Sequence, residues 1–354
     1  MTGTAPDPAV FLAEMLALAQ SALARWDLDA THLTPIKVRE NAVFRIDLEG
    51  GGRAVLRVHR HGYHSDSALE SEFAWLRALE AAGIQVPRVI RSRQGRDFEL
   101  VECETAGSAG DSGRASAGGS AESVRQIDVF EWIDGRQLGS VESGIAGGEA
   151  AAVAQYLKIG AIAARMHNQT AGWQPPPGFR RHAWDAAGLV GEAPLWGRFW
   201  ELEALAPAER ELLTRSRRTL ALELETFGMT PDCYGLIHAD LVPENLLVDG
   251  ERICVIDFDD AGFGWHLFEL ATSLYFITGE GVYPAARDAL IRGYRSEREL
   301  SDAAIERLPL FLAARGTTYL GWVHTRQGTE TARELTPFLV ERACSVAEEY
   351  LAGS

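Results

Sequence analysis

The chain has 354 residues, enough for one large domain or two modest ones, and 46% of them are hydrophobic, enough to fill a core. Its formal charge of −16 argues against nucleic acid or an anionic membrane as partner, since both need a positive face, and mildly favours a cationic acceptor. Four cysteines, Cys103, Cys233, Cys254 and Cys344, stand apart with no Cys-x-x-Cys pair, which speaks for reduced core thiols and against a zinc site or a disulfide framework.

The first element is a helix over residues 9–23, where Leu12, Met15, Leu16, Ala19 and Leu23 recur at helical spacing. Asp7 before it, Glu14 within it and the lack of a basic lead count against a signal peptide; no transmembrane run is evident, and the cytoplasm is the expected compartment. Residues 41–48 and 53–59 alternate like strands about Glu49-Gly50-Gly51-Gly52, which predicts a hairpin. On its second strand Ala54, Leu56 and Val58 share one face, and Val55, Arg57 and His59 the other. Residues 65–82 read as a helix that Gly83 ends. Strands follow over 98–103 and 127–133, completing a small antiparallel sheet with one main helix. Between them lies 106–123, built almost wholly of Gly, Ala and Ser, too poor in apolar groups to offset its ordering entropy. It reads as a mobile excursion from a hairpin, with a substrate lid as the alternative.

From residue 147 onward the pattern is mostly helical, over 151–168, 207–227, 269–278, 284–294, 302–324 and 330–351. One hairpin interrupts it, with strands 246–248 and 253–256 about Asp249-Gly250. A boundary near Ile133-Asp134 therefore divides the chain into 1–133 and 134–354, an α+β arrangement with no internal repeat.

Chemistry gathers at His238-Ala239-Asp240 and, past Pro243, at Asn245, followed by Ile256-Asp257-Phe258-Asp259-Asp260. Phosphoryl transfer asks for one carboxylate to hold the attacking hydroxyl and for oxygen ligands to hold Mg²⁺ against the nucleotide phosphates. Asp240, Asn245 and Asp257 supply that set, and Asp240-x-x-x-x-Asn245 has the spacing of a kinase catalytic loop. Alone, Asp240 would be an ordinary turn aspartate; three such residues fixed between apolar runs outweigh that reading.

These motifs resemble the aminoglycoside phosphotransferase superfamily, which also holds choline, homoserine and fructosamine kinases and a bacterial stress-response kinase. The resemblance is strongest over 234–272 and returns at Tyr319-Leu320-Gly321-Trp322-Val323-His324-Thr325-Arg326. It implies a protein-kinase-like two-lobed fold, with a small antiparallel nucleotide lobe and a larger helical lobe, and ATP with Mg²⁺ as cofactors. Asp240 is then the base, and Asn245 and Asp257 ligate the metal with Asp259 as a further ligand. Asp260 caps the turn at Gly262, and His238 shapes the loop. Arg57 occupies the strand position where kinases carry a phosphate-gripping lysine; Glu72 is its natural partner and Glu70 the competitor. In place of a Gly-x-Gly-x-x-Gly loop the chain has Arg39-Glu40-Asn41-Ala42-Val43-Phe44, where Asn41 suits the turn. Adenine is expected near Phe130, with the Glu131 carbonyl and the Ile133 amide as its hydrogen-bonding pair.

For the acceptor pocket the candidates are Arg315, Trp322, His324 and Arg326, with Trp184 and Asp185. If both arginines face the pocket, an acceptor carrying a carboxylate is attractive; the other reading makes them surface charges or counterions of buried acids. The expected enzyme, a monomer or homodimer, is an ATP- and Mg²⁺-dependent kinase. Its acceptor is a hydroxyl of a small molecule: an amino alcohol, a hydroxy amino acid, a sugar or an aminoglycoside-like compound. The rivals are a protein kinase of the stress-response type and a nucleotide-binding pseudokinase. A metal-dependent hydrolase would want histidine or paired carboxylate ligands at repeated spacing, which the chain lacks.

Overall fold

The structure, a computed structural model, describes residues 8–38, 41–102, 124–139 and 148–353. Segment 106–123, Arg39, Glu40 and Cys103 lie outside the described residues. The described chain divides into two compact units, the first within Met1–Arg77, Pro87–Ile133 and Pro176–Arg180, the second within Ala78–Val86, Asp134–Pro175 and Arg181–Ser354.

The first unit holds helix α1 (Pro8–Ala22), strands β1 (Ala30–Val38), β2 (Ala42–Leu48) and β3 (Arg53–Val58), most of helix α2 (Asp66–Ala81), and strands β4 (Phe98–Glu102) and β5 (Val124–Glu131). These strands form one antiparallel sheet in the order β1-β2-β3-β5-β4. Alternation is what builds its core: Ala42, Phe44 and Ile46 of β2 and Ala54, Leu56 and Val58 of β3 face Met15, Leu18, Ala19 and Ala22 of α1. Each large apolar side chain so buried contributes about 1.5–3 kcal/mol. The β2–β3 turn runs through Gly50 and Gly51 at φ 84 and 89, a left-handed backbone that costs glycine nothing. Sequence reading missed β1 for a physical reason: only Leu33 of its nine residues is buried, Pro35 interrupts it, and its pairing with β2 shifts register twice. Such a strand belongs at a sheet edge and carries no alternating signal.

The second unit runs through β6 (Arg136–Gln137), α3 (Gly148–Gly172), β7 (Ala183–Trp184), α4 (Ala186–Val190), α5 (Pro207–Phe227) and β8 (Tyr234–Ile237). It continues with β9 (Leu246–Asp249), β10 (Arg252–Val255), β11 (Gly262–Trp265), α6 (His266–Leu274), α7 (Tyr283–Arg295), α8 (Asp302–Ile305), α9 (Leu308–Thr325) and α10 (Glu330–Ala352). Two small sheets, β10-β9-β6 and β7-β11-β8, hold the two ends of the motif region. Helix α5 has the bounds the sequence predicts, because Pro207 opens it and Gly228, at φ 84, closes it. The single helix expected over 302–324 is two, since Pro309 in the first turn of α9 has no amide hydrogen to donate to the Ile305 carbonyl, the bond a continuous helix would need there. Helices α3 and α7 touch backbone to backbone: a Cβ on Gly160 would lie 2.0 Å from the Leu290 carbonyl oxygen, and one on Gly293 would lie 1.9 Å from that of Leu157.

Of the described cysteines, Cys254 is buried, but Cys233 and Cys344 are only half-buried, so the expected core position holds for Cys254; all three are free thiols. No helix among the described residues is long and apolar enough to cross a membrane.

Candidate active site

The loop after β8 carries Asp240, and its backbone is held in an uncommon shape. Ala239 sits at φ 63, a left-handed conformation that costs a residue with a Cβ about 1–2 kcal/mol. Glu269 of α6, fully buried, holds it there by accepting from the His238 amide at 2.9 Å and the Ala239 amide at 2.7 Å, one on each carboxylate oxygen. One turn along α6, Ser273 Oγ donates to the Leu241 carbonyl at 2.6 Å, so a single helix face clasps the loop from 238 to 241. Burial pushes the Glu269 carboxyl above the ordinary carboxylate range, against the pull of His238 and the two amides. Sequence reading missed Glu269; its signal is a lone carboxylate inside the apolar run His266-Leu-Phe-Glu-Leu-Ala.

His238 is buried; its Nδ1 accepts from the Asp240 amide at 3.2 Å, which leaves Nε2 to donate to the Ile256 carbonyl at 3.0 Å. Since the Ile256 amide in turn donates to the Asn245 carbonyl at 2.9 Å, the two halves of the motif are laced together. The Asp240 carboxylate is held on both oxygens: Asn245 Nδ2 donates to Oδ2 at 2.8 Å, and Arg315 Nη2 donates to Oδ1 at 2.9 Å. Its side chain still keeps 23% of its surface open, so a hydroxyl can reach it. Burial raises the Asp240 pKa to about 7; Arg315 opposes the rise, while Asp260, Asp257 and Glu244 add to it.

Asn245 Nδ2 also donates to the Asp240 carbonyl at 2.9 Å, so the amide nitrogen is spent and Oδ1 is the end left for a cation. Asp257, exposed, follows β10 at φ 66, and Asp259 is buried. Asn245 Oδ1 with these carboxylates is an all-oxygen donor set, which fits a hard cation such as Mg²⁺. The turn 258–261 is fixed through its carbonyls: Arg181 Nη2 donates to Phe258 O at 3.0 Å and Asp259 O at 2.6 Å, and Trp184 Nε1 donates to Asp260 O at 2.9 Å. Trp184 is therefore buried behind this turn, its indole nitrogen engaged by the Asp260 carbonyl. Asp185 accepts from the Gly188 amide at 2.8 Å and caps α4, satisfying an otherwise free helix amide, a different post from the acceptor contact expected of it.

Arg315, Trp322 and His324 of α9 and Arg326 at its C-terminal cap do not form one cluster. Arg315, fully buried, turns to Asp240 and Tyr319. Arg326 lies over the Trp322 ring at 5.0 Å, and His324 Nε2 approaches Glu201 Oε2 at 4.0 Å. At about 1.5 Å per residue, Arg326 is about 16 Å from Arg315 along the helix.

In the first unit Arg57 of β3 faces Asp128, its register partner on β5. Arg57 Nε donates to both Asp128 oxygens at 3.2 Å, and Nη2 donates to Asp128 Oδ2 and to Glu72 Oε1, each at 2.8 Å. His59 Nε2 meets Asp128 Oδ2 at 2.7 Å. Burial opposes the charge on Asp128, but Arg57 and His59 outweigh it and hold that carboxyl below its usual range. The pairing with Glu72 matches expectation, whereas Asp128 was missed; its signal is an acid in the middle of the apolar strand Ile127-Asp-Val-Phe130. Asn41 Oδ1 accepts from the Arg60 amide at 3.0 Å. The Glu131 amide donates to the Arg88 carbonyl at 2.8 Å, and Ile133 is half-buried.

A clamped carboxylate beside an oxygen ligand set is the machinery of phosphoryl transfer, and the comparisons give the class. The chain belongs to the phosphotransferase enzyme family, whose sequence model matches residues 32–304. It is a kinase, a phosphotransferase with an alcohol group as acceptor. An amicoumacin kinase from Bacillus subtilis (strain 168) is 25% identical over 87% of this chain and 84% of its own length. A solved microcompartment-associated aminopropanol kinase is 32% identical with a TM-score of 0.80, covering 95% of this chain and 98% of that one. A second amicoumacin kinase, solved in complex with AMP-PNP, Ca²⁺ and Ami, shares the fold at TM-score 0.72 and 22% identity, covering 97% of this chain and 96% of that one.

Proposed function

We propose that the protein transfers the γ-phosphoryl group of ATP to the hydroxyl of a small amino alcohol. The acceptor oxygen bonds to the γ-phosphorus, the bond from phosphorus to the bridging oxygen of ADP breaks, and the hydroxyl proton passes to Asp240. The observation that carries this reading is the Asp240 carboxylate, held on one oxygen by Asn245 and on the other by Arg315 while part of it stays open. Asn245 Oδ1 and Asp257, with Asp259 as a further ligand, would hold Mg²⁺. When bound, the metal neutralises charge on the phosphates. Arg57 pairs phosphate oxygens, and His238 keeps the loop in shape. The AMP-PNP and Ca²⁺ in the amicoumacin kinase neighbour support a nucleotide with a divalent cation.

The likeness to an aminopropanol kinase makes amino alcohols the first acceptors to try. Charge agrees with that choice, because Asp257, Asp260 and Glu244 act on Asp240 while the nearby cation Arg315 is turned to it. An acceptor ammonium finds carboxylates there, whereas the Arg315 guanidinium is fully buried and out of reach of an acceptor carboxylate. ATP as donor puts the reaction in the cytoplasm.

The test is ATP-dependent phosphate transfer across amino alcohols, hydroxy amino acids, sugars and aminoglycosides, with Asp240→Asn as control. Turnover on amino alcohols is expected, together with a loss of about three orders of magnitude or more in the variant at nearly unchanged nucleotide affinity. Parental turnover by Asp240→Asn would sink the base assignment. Preference for a carboxylated alcohol would sink the acceptor class.

A further inference from the structure

Arg315 is a costly residue to place where it is. A fully buried guanidinium loses several kcal/mol of hydration, and a buried ion pair seldom returns that as stability. Only Nη2 of its nitrogens donates to oxygen, split between Asp240 Oδ1 at 2.9 Å and the Tyr319 hydroxyl at 2.8 Å. Nε and Nη1 meet no acceptor among the described residues. Aromatic rings surround the group instead: Cζ lies 4.2 Å from the Tyr319 ring centroid, 4.9 Å from that of Trp196 and 5.5 Å from that of Phe268. A planar guanidinium rests on ring faces and keeps its edge for hydrogen bonding, which an ammonium cannot do.

We propose that this cage makes Arg315 a positioning residue, one that sets the plane of the Asp240 carboxylate toward the attacking hydroxyl. Carboxylates rotate easily about their last torsion. Asn245 on Oδ2 leaves that rotation open, and a second donor on Oδ1 closes it. The remaining lone pairs are thereby directed to the open edge of the side chain. Because Tyr319 stands one turn on from Arg315 in α9, the helix carries both the guanidinium and the hydroxyl that steadies it.

This rests on Asp240 being the base, so the experiment reads the two ideas separately. Asp240→Asn tests the base; Arg315→Met and Arg315→Lys test the positioning, each with thermal midpoint, kcat and KM for Mg·ATP. Folded Arg315→Met is expected to lose about 10²-fold in kcat with KM within about twofold, since misplacement of about 1 Å carries that size of effect. Arg315→Lys keeps the charge but not the fork, and should fall between it and the parent. An inactive Asp240→Asn beside a folded Arg315→Met of parental kcat overturns the proposal, as does a loss that lies in KM. Should Arg315→Met not fold, Arg315→Lys decides: a kcat about tenfold down at unchanged KM supports positioning, and parental kcat or a raised KM overturns it. An active Asp240→Asn removes the base reading itself, whatever the Arg315 variants do.

Discussion

Arg57 makes three contacts with Asp128 through two of its nitrogens and one with Glu72. From the sequence alone, lysine at 57 is expected to keep much of the activity, since both residues are cationic. The geometry revises that expectation, because one ammonium cannot span a bidentate carboxylate and a second acid at once. Arg57→Lys should weaken nucleotide binding about tenfold, or about 1.4 kcal/mol. Arg57→Ala should also lower stability by about 3–5 kcal/mol, because Asp128 and Glu72 are left buried without their cation. Nucleotide titration of both variants checks this, and parental affinity in Arg57→Lys would show that the phosphates are held elsewhere. That Asp240 and Asn245 meet was legible because a fixed spacing between apolar runs marks them. Asp128 and Glu269 were not, since each is one acid in an apolar element whose partners lie far off in sequence.

Among the elements, α3 and α6 meet through two imidazoles, His167 and His266, stacked at 4.1 Å with planes 13° apart. Burial takes His167 down to about 3, with Arg298 adding to it; burial takes His266 down to about 2, with His167 and Arg298 adding. Both are thus neutral in the folded chain, while an unfolded histidine takes up a proton near pH 6.5. Stability is therefore present in full above about pH 6.5 and falls as the pH drops below it, each histidine contributing up to about 1.4 kcal/mol per pH unit. Urea midpoints at pH 7.5 and 5.5 should show the fall, and His266→Gln should make it shallower; equal slopes in parent and variant would remove this pair as the cause. Helices with end signals, such as α5 between Pro207 and Gly228, were legible to the residue. Strands β8 and β11 were not, because four residues containing Gly235, or Gly262 and Gly264, hold too few side chains to show a period.

At the scale of the molecule, the fold class was readable through the motif at 238–260 and its likeness to a family, while the place of the acceptor candidates was not. No spacing rule ties α9 to the loop at 238–245, so only the folded chain reveals that Arg315 reaches Asp240 and Arg326 does not. Segment 106–123 offers a test of construction. Glu102 of β4 pairs with Val124 of β5, so the chain returns to the rung it left, and a short turn can bridge it. Replacing 106–123 by such a turn should leave thermal stability and nucleotide affinity nearly unchanged, since loop-closure entropy varies slowly with length. Lost transfer in a folded deletion would favour the lid. The contact of α3 with α7 reaches beyond this chain. Because a Cβ on Gly160 or Gly293 would fall 2.0 or 1.9 Å from the opposing carbonyl oxygen, far inside contact distance, the distance between the two axes is written in two letters of sequence. Any relative that carries a side chain at both positions must hold these helices further apart and refill the gap. Substitutions at the two sites should accordingly be inherited together, with compensating changes in the surrounding core.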